Sequence, residues 1–524
     1  MKIGIFINYG PGTEMTKEGL GRYLGGITKG FLDNGNEVTF AYPYWLKDSL
    51  YDLFEDLNID KNKVKHITTK KNPPLWLLYR KYKNKKRKKR NFYAWTKQYI
   101  NKQAMELASK TSNILFALSI LKIILLGVIA SPFILILFIL KKISVLLDKV
   151  LKKTKYLFKG MLSEKFVYLM YRKMIENTAL ELVSIINRNN KESVWYCPAL
   201  FWPNVTAIKG PVVINLPDVV TQDFADKFAI TDFPEQTKDL KETIKRGNYF
   251  ITYSDYIKNK IIVNENSSMD KEAIVINHIP NNLLPYVEID SAVGKKMNVD
   301  YDLTHVFCKN VIAQIPSIAG NIGRIDLSDI RYIFYSSQAR PHKNMLTLIK
   351  AYKTLIRKKF RHEKLVLTGN INNLEEISRY VNDNNLQEEI IICSGVSTQE
   401  LAALYECARL VVNPTLYEGG FPFTFCEGMS VGTPSLMSKI PVVNEIIDEN
   451  QYSEMLFDPY DYSNLAERME WALENVDYLY NLELDLYKKL MKRTNIDVSK
   501  EYEEAFKFFI KKYNENKKIK DKIA

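Results

Sequence analysis

The sequence predicts an α/β protein of two doubly wound domains facing a cleft, and three observations carry that expectation. A chain of 524 residues exceeds one ordinary hydrophobic core. A strand-then-helix alternation runs through the first half and restarts in the second. The strands are nearly continuous apolar runs, the pattern of a parallel sheet covered on both faces.

The first half opens with the apolar run Ile3 to Ile7, a glycine-bearing loop, and a helix starting near Gly19 with Leu20, Tyr23, Leu24 and Ile27 on one side. A strand is expected at Glu37 to Tyr42, a helix at Tyr168 to Asn187, and strands at Pro211 to Asn215 and Tyr249 to Thr252. The second half restarts with a strand at Arg331 to Tyr335, a helix at Asn344 to Lys358, and strands at Lys364 to Thr368 and Glu389 to Cys393. A helix at Thr398 to Cys407, a strand at Leu410 to Asn413 and a helix starting at Glu427 follow. The expected division is a first domain over 1–282, an irregular connection over 283–328, a second domain over 329–496, and a C-terminal helix with a basic tail over 497–524. Ligands of such sheets sit beyond the carboxyl ends of the strands, which singles out the loops Gly10 to Gly21, Ser336 to Lys343 and Thr415 to Glu427.

Composition is that of a globular chain, 46% hydrophobic and 26% charged. Five scattered cysteines without a C-x-x-C pair read as reduced thiols, and the short apolar N-terminal run has no secretory pattern, so a cytoplasmic chain is expected. The net charge of +14 is local: Lys70 to Lys159 holds 22 Lys plus Arg against Glu106 and Asp148, a block of +20 that leaves −6 elsewhere. Inside it, Ile123 to Leu140 is 18 residues without a charge. As a helix this run is about 27 Å long, close to the hydrocarbon thickness of about 30 Å. A single span would put the strand at Ile3 to Ile7 across the bilayer from the strands it must pair with. A hydrophobic helical insert over about 70–160, bent near Pro132 and dipping into one leaflet, avoids that conflict. The basic flanks then meet an anionic membrane surface. The run RKYKNKKRKKR lacks a nucleic-acid-binding motif, so no nucleic acid partner is expected.

The segment NPTLYEGGFPFTFCEGMSVGTPSLMSKIPVVNEII (Asn413 to Ile447) resembles the donor site of glycosyltransferase family 4, the retaining group 1 enzymes of GT-B fold. SSQARPHKNMLTLIKAY, GVSTQELAALYECARLVVNP, FDPYD and the N-terminal INYGPGTEMTKEGLGRYLGG share the resemblance, which covers both domains but not the insert. It implies two Rossmann-like domains, with the acceptor on the first and a nucleotide sugar on the second. It also implies catalytic roles for Glu418, facing the donor sugar, and for Arg340 and Lys343, neutralising the departing diphosphate. Glu427 would hold the ribose hydroxyls, and the amides of Gly419, Gly420 and Phe421 would line the sugar pocket. Gly19 and Gly21 resemble the loop that approaches the donor phosphates. Asp218 stands where the family often has His-Asp; here Pro217 replaces the histidine. Two further departures are the eight residues between Glu418 and Glu427, where the family has seven, and Gln338, where it usually has Arg; Arg340 is the candidate substitute.

No cofactor and no metal are expected, because fixed cations can carry the phosphate charge. The triplet Asp300-Tyr301-Asp302 reads as loop acids. The resemblance and the insert together imply sugar transfer to a polyprenyl-diphosphate-linked glycan in surface polysaccharide synthesis, at the cytoplasmic face of a bacterial membrane. A nucleotide-sugar epimerase of similar architecture, or a non-catalytic membrane-binding scaffold, are the rival readings.

Overall fold

A computed structural model describes residues 1–73, 76, 117, 121, 164–188, 190–220, 233–264, 271–291, 298–299, 301–319, 323–371 and 374–523. The insert expected over about 70–160 falls almost wholly outside them. Among the described residues no helix is long and apolar enough to cross a membrane.

The first sheet holds β1 (Lys2–Phe6), β2 (Glu37–Tyr42), β3 (Val64–Thr68), β4 (Val194–Cys197), β5 (Val212–Leu216), β6 (Tyr249–Thr252) and β7 (Glu272–Val275). All are parallel, in the order β3-β2-β1-β4-β5-β6-β7. Ile5 is in register with Phe40 on one side and Tyr196 on the other. All three are fully buried, as expected of central strands with both faces covered. The connecting helices are α1 (Gly19–Asp33), α2 (Lys47–Asp56), α3 (Glu164–Arg188), α4 (Phe233–Arg246) and α5 (Asp255–Asn264).

The second sheet holds β10 (Ile318–Ala319), β11 (Gly323–Arg324), β12 (Tyr332–Tyr335), β13 (Lys364–Leu367), β14 (Ile390–Ile392), β15 (Leu410–Asn413), β16 (Ser435–Ser438) and β17 (Leu456–Phe457), after the small pair β8 (Asp290–Ser291) and β9 (Asn298–Val299). Its order is β11-β10-β14-β13-β12-β15-β16-β17, with β10 antiparallel to both neighbours and the rest parallel. Helices α6 (Tyr301–Ile312), α7 (Met345–Lys358), α8 (Glu375–Asp383), α9 (Thr398–Glu406), α10 (Phe423–Ser430), α11 (Tyr462–Glu474) and α12 (Val476–Met491) accompany it. Ser397 and Glu400 form a reciprocal capping box that fixes the start of α9.

The last helix, α13 (Asn495–Ile523), returns to the first domain. Gly30 lets it approach α1: a Cβ there would stand 1.9 Å from Ser499 Oγ. Tyr502 then packs on Phe31 and Tyr196, and Phe509 on Tyr249. Arg493, just before it, pairs with Glu501 and donates to the Asn277 carbonyl of the first domain at 2.5 Å.

Two sequence expectations need correction. The connection over 283–328 is not irregular throughout, since it contains α6, and Asp302 is an exposed first-turn residue of that helix. The helix expected to start at Glu427 begins one turn earlier, at Phe423, with Pro422 as its N-cap. Pro holds the extended φ that such a cap requires.

Candidate active site

In each sheet the strand order reverses beside a central pair, β1/β4 and β12/β15, and the crevice beyond those carboxyl ends is where an open parallel sheet receives its ligand. The loops after β12 and β15 are strapped together. Asn344 takes the left-handed conformation at φ 54°, which asparagine tolerates, and its amide donates to the carbonyls of Pro414 (3.0 Å) and Pro459 (2.7 Å). The Leu416 N–H donates to the His342 carbonyl at 2.8 Å. These bonds set the single turn Pro341–Lys343 beside the second loop, and there the Lys343 ammonium pairs with Glu418. Both side chains are about one-fifth exposed.

Across the crevice stands Asp218, just beyond β5. Its carboxyl accepts from the Val220 N–H at 3.3 Å. Desolvation pushes its pKa up and the nearby Glu418 adds to that, while Lys343 and Arg340 oppose it. Four of the expected residues, Asp218, Arg340, Lys343 and Glu418, therefore share one electrostatic neighbourhood built from both domains. Arg340 itself is exposed, at the N-cap of the Pro341–Lys343 turn, and Gln338 is exposed two residues earlier.

The glycines after Glu418 are explained by protein, not by open space. A Cβ on Gly419 would lie 1.6 Å from the Pro217 carbonyl oxygen, and one on Gly420 would lie 2.9 Å from the His278 ring. The Gly419 carbonyl accepts from Ser254 Oγ (2.9 Å), and Tyr417 Oη accepts from the Val219 N–H (2.6 Å). Glu445 of the second domain caps the start of α5, accepting from the Asp255 and Tyr256 amides at 3.0 and 2.6 Å. The absence of a Cβ at Gly419 and Gly420 lets the two domains touch. Phe421 is buried against Phe425. His278 stacks on Phe423 with ring centroids 4.1 Å apart, and burial pulls its pKa down to about 4, so the ring is neutral near pH 7.

Glu427 lies in the second turn of α10, 8% exposed, with one oxygen accepting from Tyr405 Oη and the other from Asn281 Nδ2, both at 2.8 Å. The carboxylate is held by one donor per oxygen. Each oxygen keeps a further lone pair for a ligand hydroxyl. Gly21 is likewise accounted for internally, since a Cβ would stand 2.4 Å from the Met15 carbonyl oxygen, whereas Gly19 at the start of α1 faces open space. Glu18, the N-cap of α1, makes no side-chain cap bond, and a helix N-terminus of this kind suits an anion.

Sequence reasoning missed a set of buried, unpartnered polar atoms in the first domain. Asn8 Oδ1, Tyr9 Oη and Asn215 Oδ1, beyond or at the carboxyl ends of β1 and β5, are buried with no hydrogen-bond partner among the described residues. Trp202 stands edge-on to Tyr9 at 4.9 Å. Buried orphan acceptors beside an aromatic wall suit a hydroxyl-rich ligand. The available signal was INYG following an apolar strand. Among the described residues, the group whose spacing could hold a cation lies away from this crevice, at His305, Glu406 and Cys407.

Known proteins place this geometry. The model of "Glycosyl transferases group 1" matches residues 326–492. The serotype-specific mannosyltransferase WbdA of Escherichia coli is 28% identical over 210 residues, 39% of this chain and 23% of that protein. The O-antigen chain mannosyltransferase RfbU of Salmonella typhimurium is 27% identical over 141 residues, 26% of this chain and 36% of that protein. The match thus spans well under half of either relative. Among solved structures, Anabaena Alr3699/HepE in complex with UDP and glucose superposes with a TM-score of 0.55 at 11% identity, covering 97% of this chain and 99% of that one. Sucrose-phosphate synthase from Thermosynechococcus elongatus gives 0.57 at 12% identity, covering 97% and 98%. The chain has the GT-B fold, and its second domain matches the model of the group 1 glycosyl transferases.

Proposed function

We propose that this protein transfers a hexose from a nucleotide-sugar donor, with retention of anomeric configuration and without a metal, to a lipid-linked glycan at the inner face of a bacterial membrane. The observation that carries the reading is the Lys343–Glu418 pair, set at the β12/β15 switch point and facing Asp218 with Arg340 alongside. A diphosphate entering the crevice competes with Glu418 for Lys343 and frees that carboxylate to meet the donor sugar. As the bond from the anomeric carbon to the diphosphate oxygen breaks, its electron pair leaves with the diphosphate, where Lys343 and Arg340 meet the growing charge. The acceptor oxygen bonds to the same face of that carbon and gives its proton to the leaving phosphate. Glu427, oriented by Tyr405 and Asn281, accepts from the ribose. The amides at Gly19 and Gly21 close on the phosphates, and Asn8, Tyr9 and Asn215 take acceptor hydroxyls.

Mannose is the first sugar to test, because WbdA and RfbU are mannosyltransferases. The membrane acceptor is supported by where the described chain departs and returns. Residues 69–73 follow the carboxyl end of β3, and α3 runs back from Glu164 to feed β4, so both attachment points lie on the crevice side of the first sheet. Tyr171 of α3 indeed packs beside Gly10, where a Cβ would meet its hydroxyl at 2.7 Å. Leu169 and Met170 are exposed nearby, 45% and 38%.

A panel of nucleotide sugars screened by calorimetry, and then incubated with membrane lipid extract, tests the proposal. A donor consumed only when extract is present supports it. An epimerised nucleotide sugar formed without acceptor would establish the epimerase instead, and liposome binding with no donor affinity would establish a scaffold.

A further inference from the structure

Helix α6 and the end of α9 bring together a histidine, a carboxylate and two thiols that the transfer reaction does not use. His305 Nδ1 lies 2.9 and 3.1 Å from the two Glu406 oxygens, and Cys407 Sγ lies 3.2 Å from Oε2. One ligand atom from each of these three residues lies within 4.8 Å of the others. Cys308, three residues after His305, is fully buried on the same face of α6.

We propose that His305, Glu406 and Cys407 form a three-residue site for a thiophilic cation of the Zn2+ class, with the fourth tetrahedral position open. Bond lengths of about 2.0–2.3 Å to a tetrahedral zinc place neighbouring ligand atoms about 3–4 Å apart, close to the separations here. A thiolate, an imidazole and a single carboxylate oxygen select such a cation over Mg2+ or Ca2+. Access is open, since the His305 side chain is 47% exposed while Cys308 is fully buried. A thiolate, not a thiol, is the ligand, so binding releases a proton from Cys407 and weakens as pH falls. The cation would staple α6, in the connection between the domains, to α9. Tyr405, the residue before Glu406, holds Glu427. The cation thus braces the nucleotide side of the crevice without entering the chemistry.

The test is a Co2+ titration of the full-length, reduced, metal-free protein, read by its thiolate-to-cobalt charge-transfer absorption. The expected result is one Co2+ per chain, displaced by Zn2+. Binding should weaken more than about 100-fold in both His305→Ala and Cys407→Ser, beyond the roughly 10–100-fold typical of an outer-sphere partner, and stay unchanged in Cys393→Ser. Both variants alter partly exposed residues, and their far-ultraviolet dichroism checks folding. Zn2+ should also slow alkylation of Cys407 in the unaltered chain, a readout that needs no variant. Absence of the thiolate band overturns the proposal, as does an affinity in either His305→Ala or Cys407→Ser that equals the unaltered chain's. Mild oxidation that joins Cys308 to Cys407, in a chain that shows no Co2+ band, would likewise replace the cation site with a redox pair.

Discussion

Gly419→Ala is the perturbation whose size the structure sets most directly. The new Cβ would stand 1.6 Å from the Pro217 carbonyl oxygen and 2.9 Å from Asp218 Cβ. Because these are backbone and near-backbone atoms, no rotamer change relieves the clash, and the two loops must separate by about 1.5 Å to reach van der Waals contact. That separation moves Glu418, the preceding residue, away from Asp218 and breaks the Ser254–Gly419 hydrogen bond. A displacement of about 1 Å in a reacting geometry costs about 100-fold in rate. The expected outcome is a kcat lower by about that factor, with the thermal midpoint nearly unchanged, because each domain keeps its own core. Donor affinity, centred on Glu427 and Lys343, should hold. Steady-state transfer kinetics and donor calorimetry separate the two effects. A kcat equal to the unaltered enzyme's, in a folded variant, would refute the idea that these glycines exist for domain approach. Gly420→Ala should be milder, since it meets a His278 ring that can move.

Four other expectations follow from the same geometry. Glu427→Gln should weaken nucleoside diphosphate binding by about 1.5–3 kcal/mol, the loss of a charged hydrogen-bond partner, while Tyr405 and Asn281 can still pair with the amide; unchanged affinity in calorimetry would remove Glu427 from the nucleotide site. Lys343→Ala should lower kcat more than it raises the donor dissociation constant, because the charge develops in the transition state; if Arg340→Ala is silent and Gln338→Ala is crippling, the cation substitution is wrong. His278 is held at about 4 against an ordinary 6.5, so between those values the unfolded chain binds a proton that the folded chain refuses, and stability falls as pH drops through that window. His278→Phe, which keeps an aromatic ring against Phe423, should flatten that fall in urea titrations, and an unaltered pH dependence would contradict it. Replacing residues 112–153 with a short Gly/Ser linker should release the protein from membranes that otherwise retain it at about 1 M salt, where the Debye length is about 3 Å; wash-off of the full chain by salt would reduce the contact to its basic flank.

The strands most legible in the sequence were those buried on both faces, β1, β6, β12 and β15, because there the apolar run is the whole signal. β7, half-buried at the sheet edge with the sequence EAIV, carries no such run and escaped notice. The start of α10 was hidden because GGFPFTF reads as turn and aromatic residues until its packing on the second domain is known. Helix α6 was missed because Leu303 and Val306 on its outer side, 49% and 56% exposed, blur the amphipathic stripe. Within the site, residue types were readable but their partners were not. Glu427 is held by residues 22 and 146 positions away, and nothing local announces Tyr405 or Asn281. The glycines at 419 and 420 were equally visible, yet only the fold shows that Pro217 and His278 stand opposite them.

The most direct test of the central claim is the anomeric configuration of the product formed when the full-length protein is given nucleotide-activated mannose, or whichever donor binds best, together with membrane lipid extract. The expected product is a glycosylated lipid whose new linkage, read by nuclear magnetic resonance, keeps the donor's configuration, with one nucleoside diphosphate released per sugar transferred and with Lys343→Ala severely impaired. Inversion at the anomeric carbon would contradict the roles given to Glu418, Lys343 and Arg340, and the absence of any transferred sugar from any bound donor would contradict the function itself.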